Sequence, residues 1–232
     1  MAVVKSWFRS VISAQLPRGG RWRLAARLLC CALPLVLLSA ASAAEPALRT
    51  DSDRLAERLG GLASFAAEFT QAIAGNRGQI LEQSSGYVLL DRPRFKWVVD
   101  DPYPQVIVAD GEVLKVYDPD LEQLTLRPVD EALKDTPISL LTQDGVALSD
   151  EFLIVHVPGE DDEESFVVTP RGSDSLFAEI RLTFSVLGLR SLGILDHLGQ
   201  YTEIRFEVIP DRVIQSADFE LEVPPDTDVI GG

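Results

Sequence analysis

The chain has 232 residues, with 36 acidic and 21 basic side chains and a formal net charge of −15 at pH 7. A surface this acidic argues against binding nucleic acid or anionic lipid head groups by charge attraction. Both cysteines, Cys30 and Cys31, lie within the first 44 residues. The chain beyond them therefore has no thiolate nucleophile, no disulfide and no cysteine metal ligand.

Residues 1–44 predict a secretory signal peptide. Residues 1–27 contain six basic and no acidic side chains, and the apolar run 28–38 follows them. The small residues of 39–44 then supply an A-x-A cleavage site. The apolar run is shorter than the roughly 20 residues that a membrane span needs. Both cysteines precede most of that run, so we expect no lipidation. We therefore expect residues 45–232 to be exported as a single domain with 15 bases against 36 acids.

Apolar residues at helical spacing predict one long helix over residues 52–74. Gly75 and Gly78 would end it, and Gly60-Gly61 predicts a bend, because each glycine costs a helix about 1 kcal/mol relative to alanine. The apolar positions of this helix are Leu55, Leu59, Leu62, Phe65, Phe69 and Ile73.

The stretch 86–118 predicts a meander of four short strands separated by turn signals. Asp110-Gly111, flanked by apolar runs, is the strongest of these hairpin signals. Residues 123–128 continue the meander, and residues 130–148 then predict a short apolar helical segment. Leu140 and Leu141 in this segment would be buried against the open face of the sheet.

The later strands alternate apolar and polar residues, with predicted segments at 152–157, 165–169, 180–186, 204–208 and 219–223. On the order of ten such strands with few helices predict a mainly β protein, built as a strongly curved antiparallel sheet or unclosed β-barrel. An interior lined by every strand is either filled by side chains or hollow for a ligand. We interpret it as an apolar cavity, and the two helical segments as its cover.

No motif for chemistry accompanies these elements. His156 and His197 have no nucleophile signature beside them, so we interpret both as structural and the protein as not an enzyme. The acidic pairs near residues 51–53 and 226–228 lack the rest of a calcium loop. The charged turn 159–164 is interpreted as simply solvated. We expect no metal and no cofactor.

Several segments match one known family in both order and spacing. They are LASFAAEFTQ at 62–71, RPRFKW at 92–97, VADG at 108–111, YDPDLEQ at 117–123 and FELEVP at 219–224. Together with Thr136-Pro137 before Leu140-Leu141 and the terminal residues 228–230, they resemble the LolA family of periplasmic outer-membrane lipoprotein carriers. The resemblance covers most of the chain beyond residue 55.

The resemblance implies an unclosed β-barrel with a helical lid over an apolar cavity. It implies a soluble, monomeric periplasmic carrier that accepts acylated lipoproteins from an inner-membrane ATP-driven release complex (LolCDE-like). An outer-membrane acceptor (LolB-like) would then receive the cargo. An acceptor of this architecture would itself carry a lipidated cysteine. The alternatives are another periplasmic lipid-binding protein and a lipoprotein-sensing module of the same architecture.

Carried over by the resemblance, Arg92 is expected to be a lid latch that bonds to carbonyls of the covering helices and releases when lipid enters. Phe95 and Trp97 are expected to shape the cavity and the surface over which cargo is transferred. The other residues expected at the cavity are Phe65, Phe69, Leu140, Leu141, Phe184 and Phe206.

Overall fold

The fold is a single 12-stranded sheet with short helices, seen in a computed structural model that describes residues 49–133, 136–142, 148–160, 162–172 and 175–231. The strands are β1 (Ser64–Ala74), β2 (Ile80–Asp91), β3 (Arg94–Asp101), β4 (Gln105–Ala109), β5 (Val113–Asp118), β6 (Gln123–Pro128), β7 (Phe152–Pro158), β8 (Glu164–Pro170), β9 (Glu179–Ser185), β10 (Gly188–Leu195), β11 (Tyr201–Val208) and β12 (Asp228–Ile230). The helices are α1 (Asp51–Gly60), α2 (Val129–Leu133), α3 (Ser139–Thr142) and α4 (Leu148–Glu151).

The strand order is β12-β6-β5-β4-β3-β2-β1-β11-β10-β9-β8-β7. Neighbouring strands are antiparallel except β12, which pairs with β6 in parallel. Most neighbours are consecutive in the chain, as expected for strands joined by tight hairpins. Among the described residues, β7 and β12 are the two edges of the sheet, so the sheet is not closed. The predicted mainly β, largely antiparallel fold is confirmed, whereas its strong curvature and apolar cavity stay predictions.

Alternation along the strands separates one buried face from one wetter face, as β9 illustrates. Ile180, Leu182 and Phe184 are buried, whereas Arg181 is exposed. The prediction that Val186 continues this dry face is wrong. The strand ends at Ser185, and Val186 lies in the β9–β10 turn with 75% of its surface exposed.

The long helix predicted over residues 52–74 is only half right. Helix α1 ends at Gly60, and the remainder of the predicted helix is strand β1, which pairs with both β2 and β11. Phe65, Phe69 and Ile73 are four residues apart, and a spacing of four places side chains on one face of a helix and also of a strand. The Gly60-Gly61 pair therefore ends the helix instead of bending it.

Helix α1 begins with a capping box formed by Thr50 and Asp53. The Thr50 hydroxyl accepts a hydrogen bond from the backbone N–H of Asp53 at 3.2 Å, and the Asp53 carboxylate accepts from the Thr50 N–H at 2.9 Å. These two bonds satisfy backbone donors that a helix start leaves without partners. Leu55 and Leu59 form its buried stripe.

The second helical segment, predicted over residues 130–148, is divided into α2, α3 and the start of α4. Residues 134–135 and 143–147 lie outside the described residues. Leu140 and Leu141 are buried, as the sequence predicts. The short helices therefore cover the apolar face as separate turns.

The strand predicted over residues 219–223 is absent from the described sheet. Phe219 ends a 3-10 turn (Ser216–Phe219), and the following residues are extended without strand pairing. Phe219 packs on the opposite face of the sheet from α1, against Ala66, Leu89 and Val108. Alternation here reflects packing on a sheet face, since the segment has one buried side and no ladder partner.

The predicted signal peptide, residues 1–44, lies outside the described residues. Within the described part of the chain, no helix combines the length and the apolar character that crossing a bilayer requires.

Candidate functional site

The structure brings every apolar residue predicted at the cavity into one buried group, here called the interior cluster. The cluster unites the inner face of the sheet with the apolar sides of α1, α2 and α3. The eight predicted members are Phe65, Phe69, Phe95, Trp97, Leu140, Leu141, Phe184 and Phe206, each with 8% or less of its surface exposed. The helices therefore cover the same apolar face that the aromatic side chains occupy.

Aromatic rings contact one another at the centre of the interior cluster. The Phe69 and Trp97 ring centroids are 4.4 Å apart, and Phe206 stands edge-on to Trp97 at 6.2 Å and to Phe65 at 5.9 Å. Such contacts add about 0.5–1.5 kcal/mol per pair beyond the burial of apolar area. In this structure, therefore, these side chains fill the space between them, and a chamber would need them to separate.

Arg92, in the turn between β2 and β3, joins two covering helices. Its Nε donates a hydrogen bond to the carbonyl oxygen of Leu141 in α3 at 2.8 Å, and its Nη2 donates to the carbonyl of Leu59 in α1 at 2.6 Å. Both acceptors lie in the last turn of their helices, where carbonyls carry partial negative charge. The Leu59 carbonyl also accepts a hydrogen bond from the Leu62 backbone N–H at 3.0 Å. One guanidinium thus links α1 and α3 above the interior cluster.

A second polar group, here called the clasp, fastens α1 to strands β7 and β8. The clasp consists of Arg58 in α1, His156 in β7 and Glu164 in β8. Arg58 forms an ion pair with Glu164, and Glu164 also accepts a hydrogen bond from His156 Nε2 at 3.0 Å. At the start of α1, the Asp51 carboxylate accepts a hydrogen bond from the backbone N–H of His156 at 3.0 Å. Helix α1 is therefore held at both ends.

Sequence reasoning missed the clasp. The charged turn 159–164 was expected to be solvated. Gly159, Glu160 and Asp162 are exposed, but the prediction is wrong for Glu164, whose partners lie on α1 and β7. Arg58 and Glu164 are 106 positions apart, so no local pattern could have indicated their contact. His156 has a structural environment, because Glu164 and the Phe166 ring enclose it.

Burial raises the pKa of the Glu164 carboxyl. The hydrogen bond and charge of Arg58, together with His156, lower the pKa by more than burial raises it, so the net pKa lies below the ordinary 4.5. The ionised clasp therefore stabilises the fold fully above about pH 4.5, and this contribution is lost as pH falls through the lowered pKa. We expect Glu164→Gln to reduce the unfolding free energy by about 1 kcal/mol at pH 7 and by progressively less as the pH falls below 4.5, measured by urea denaturation.

Glu163→Gln is the matched control for Glu164→Gln, because Glu163 pairs with the mostly exposed Arg190. We expect its effect at pH 7 to be smaller. Equal losses for the two variants at pH 7, or a loss for Glu164→Gln that persists unchanged near pH 3, would contradict a stabilising ionised clasp.

Among the described residues, no group of three or more His, Cys, Asp or Glu side chains could hold a metal ion. His197 lies at the surface within 3.0 Å of the Ser175 carbonyl oxygen.

Fold and site together define a class: a mainly β protein whose helices cover an apolar sheet face and are fastened over it by arginines. Residues 60–222 match the model of the family described as "Outer membrane lipoprotein carrier protein LolA". The chain belongs to the LolA family of outer-membrane lipoprotein carrier proteins. Membership confirms the predicted carrier function, with lipoproteins as cargo and without enzymatic activity, and it implies a periplasmic location.

Individual relatives agree with the family match. The chain is 40% identical to the outer-membrane lipoprotein carrier protein of Chromohalobacter salexigens over 181 residues, which cover 77% of this chain and 86% of the relative. It is 34% identical to the carrier of Azotobacter vinelandii over 200 residues, covering 84% and 96% of the two chains. A solved structure of an uncharacterised conserved protein from Thermus thermophilus has the same fold, with a TM-score of 0.50, 14% identity and coverage of 78% and 99%.

Proposed function

We propose that this protein accepts acylated lipoproteins from an inner-membrane ATP-driven release complex (LolCDE-like) and delivers them to an outer-membrane acceptor (LolB-like). In this proposal residues 1–44 are cleaved on export, and residues 45–232 form one soluble, monomeric domain. The observation that carries the proposal is the position of α1 and α3. Both helices cover the interior cluster, and Arg92 joins their last turns.

The cargo needs a container because acyl chains are poorly compatible with water. Each CH₂ group contributes about 0.8 kcal/mol, so one long chain costs on the order of 10 kcal/mol to expose. The interior cluster offers an apolar environment in which acyl chains would be shielded from water. Acyl chains would enter beneath the helices and replace contacts that Phe69, Trp97 and Phe206 now make with one another.

The Arg92 latch sets how strongly cargo is retained. Opening the helices breaks hydrogen bonds to two carbonyls, and charge-assisted bonds of this kind contribute about 1.5–3 kcal/mol each. That cost is smaller than the gain from burying an acyl chain, so loading remains favourable. The hydrogen bonds of Arg92 re-form when the cargo leaves, and the free energy regained in this way favours delivery to an acceptor.

Trp97 provides the test, because it is the sole tryptophan beyond residue 44. Its ring lies within the interior cluster, so bound acyl chains should contact it. We expect a lipopeptide with dibrominated acyl chains to quench most of the Trp97 fluorescence, and the same lipopeptide without bromine to leave it nearly unchanged. Titration of the chain lacking residues 1–44 measures both.

The control moves the tryptophan to the opposite face of the sheet. A variant that combines Trp97→Phe with Phe219→Trp places the indole in the separate cluster that contains Ala66 and Val108. We expect brominated chains to leave its emission unchanged. Binding of the brominated lipopeptide without any quenching of Trp97 would show that acyl chains do not enter the interior cluster.

A further inference from the structure

A pocket of about 650 Å³ lies between α1 and the β9–β10 turn. Its lining combines apolar side chains, among them Leu62, Phe184, Val186 and Leu187, with the guanidinium groups of Arg54 and Arg58 and the carboxylates of Glu57 and Glu164. Leu62 and Phe184 also belong to the interior cluster. The floor of the pocket is therefore continuous with the surface proposed to hold acyl chains.

Arg54 is the cation in this pocket whose donors are least engaged. Arg58 is paired with Glu164, and Arg49 forms an ion pair with Glu57 at 2.6 Å. Within the described part of the chain, Arg54 pairs with no carboxylate, and its recorded contact is Nη1 to His156 Nδ1 at 3.4 Å. The His156 ring faces Glu164 through Nε2 and Arg54 through Nδ1. One long hydrogen bond leaves most of the five guanidinium donors available.

The β9–β10 turn supplies an apolar rim to the same pocket. Val186 and Leu187 have 75% and 74% of their surfaces exposed. At Gly188, which follows them with φ +126°, a Cβ would lie within 3.8 Å of Phe65 and Leu62, so the turn reaches back to the interior cluster. Exposed aliphatic side chains next to an available guanidinium fit a ligand that is apolar at one end and rich in acceptors at the other.

We propose that this pocket binds the polar head of the acylated cargo, the ester- and amide-linked cysteine from which the acyl chains extend. Ester and amide carbonyls are hydrogen-bond acceptors, and a guanidinium supplies donors. Arg54 would bind these carbonyls while the chains pass Leu62 and Phe184 into the interior cluster. This inference rests on the proposed function and assigns a separate place to the head group.

The test compares two probes on wild-type protein and an Arg54→Gln variant. One probe is a tripalmitoylated cysteine lipopeptide, and the other is diphenylhexatriene, a hydrocarbon without hydrogen-bond acceptors. We expect Arg54→Gln to weaken binding of the lipopeptide about tenfold. Binding of diphenylhexatriene should be unchanged, because a hydrocarbon makes no hydrogen bond with Arg54.

Arg49→Gln is the matched control, since Arg49 lines the same pocket but is paired with Glu57. It should leave both affinities unchanged. Equal lipopeptide affinity in wild-type and Arg54→Gln protein, or an equal loss for both probes, would overturn the head-group site while leaving the carrier function intact. Failure of the wild-type protein to bind either probe would instead overturn the proposed acyl binding, and the head-group site with it.

A competition experiment distinguishes the cargo head from phospholipid, which also carries acyl esters. Because the protein surface is strongly acidic, anionic short-chain phosphatidylglycerol should fail to displace the lipopeptide from wild-type protein. Displacement that depends on Arg54 would assign the pocket to phospholipid head groups and overturn the proposal.

Discussion

Replacing Arg92 with leucine is expected to leave the protein folded and to trap cargo on it. The variant loses the hydrogen bonds to Leu59 and Leu141 that hold α1 to α3. Without them the covered, empty state is less favourable, so the loaded state gains by the free energy of the missing bonds. At about 1.5–3 kcal/mol for each of the two bonds, the loaded fraction should rise about a hundredfold or more relative to the empty one.

The first measurement is the amount of lipoprotein transferred from purified, loaded carrier to acceptor-containing membranes. The second is the level of outer-membrane lipoproteins in cells that express only the variant. Arg94→Leu is the matched control. Arg94 follows Pro93 on the same chain segment, but it pairs with Asp91 and lies over the Phe219 ring, away from α1 and α3. Normal transfer by Arg92→Leu, or equal retention by both variants, would refute the latch.

Gly86→Ala is expected to be the most destabilising single-methyl change in the sheet. A Cβ at Gly86 would overlap the carbonyl oxygen of Val98 in β3, and backbone cannot move aside as a flexible side chain can. The β2–β3 register shifts beside this residue, between Ser85 and Gly86. We expect a loss of about 3 kcal/mol or more in unfolding free energy, at or above the usual range for overpacking.

Gly60→Ala is the control for the added methyl group. Nothing lies within 4 Å of a Cβ at Gly60, the last residue of α1. Alanine there should be neutral or stabilise the protein by up to about 1 kcal/mol. Urea denaturation of the two variants gives the comparison, and similar unfolding midpoints would contradict close backbone approach at Gly86.

Local patterns predicted most of the sheet but misjudged what lies beside it. Strand β6 was predicted with its observed bounds, Gln123–Pro128, as the continuation of the meander. The helix predicted over residues 52–74 was wrong beyond Gly60, since apolar residues four positions apart suit either structure. Pairing of β1 with both β2 and β11 decides in favour of strand, and pairing partners cannot be read from spacing alone.

The candidate site divides in the same way. Arg92 and the eight apolar residues were named from a family resemblance and from alternation, and the structure places them around one apolar cluster. Arg54 and the clasp were not named. Their contacts join α1 to β7 and β8 across about a hundred positions, and a surface charge that finds a distant partner resembles one that does not.

The position of α1 also bears on how much of the edge strand β7 is covered. Strand β7 is an edge of the described sheet. The backbone N–H of His156 on this strand donates a hydrogen bond to the Asp51 carboxylate of α1. Leu153 and Val155 on the same strand are about half exposed. Movement of α1 away from β7 to admit cargo would expose the unpaired backbone groups of this edge strand, and a second molecule could then add its own strand there. A brief open state would thus limit filament growth as well as the escape of cargo.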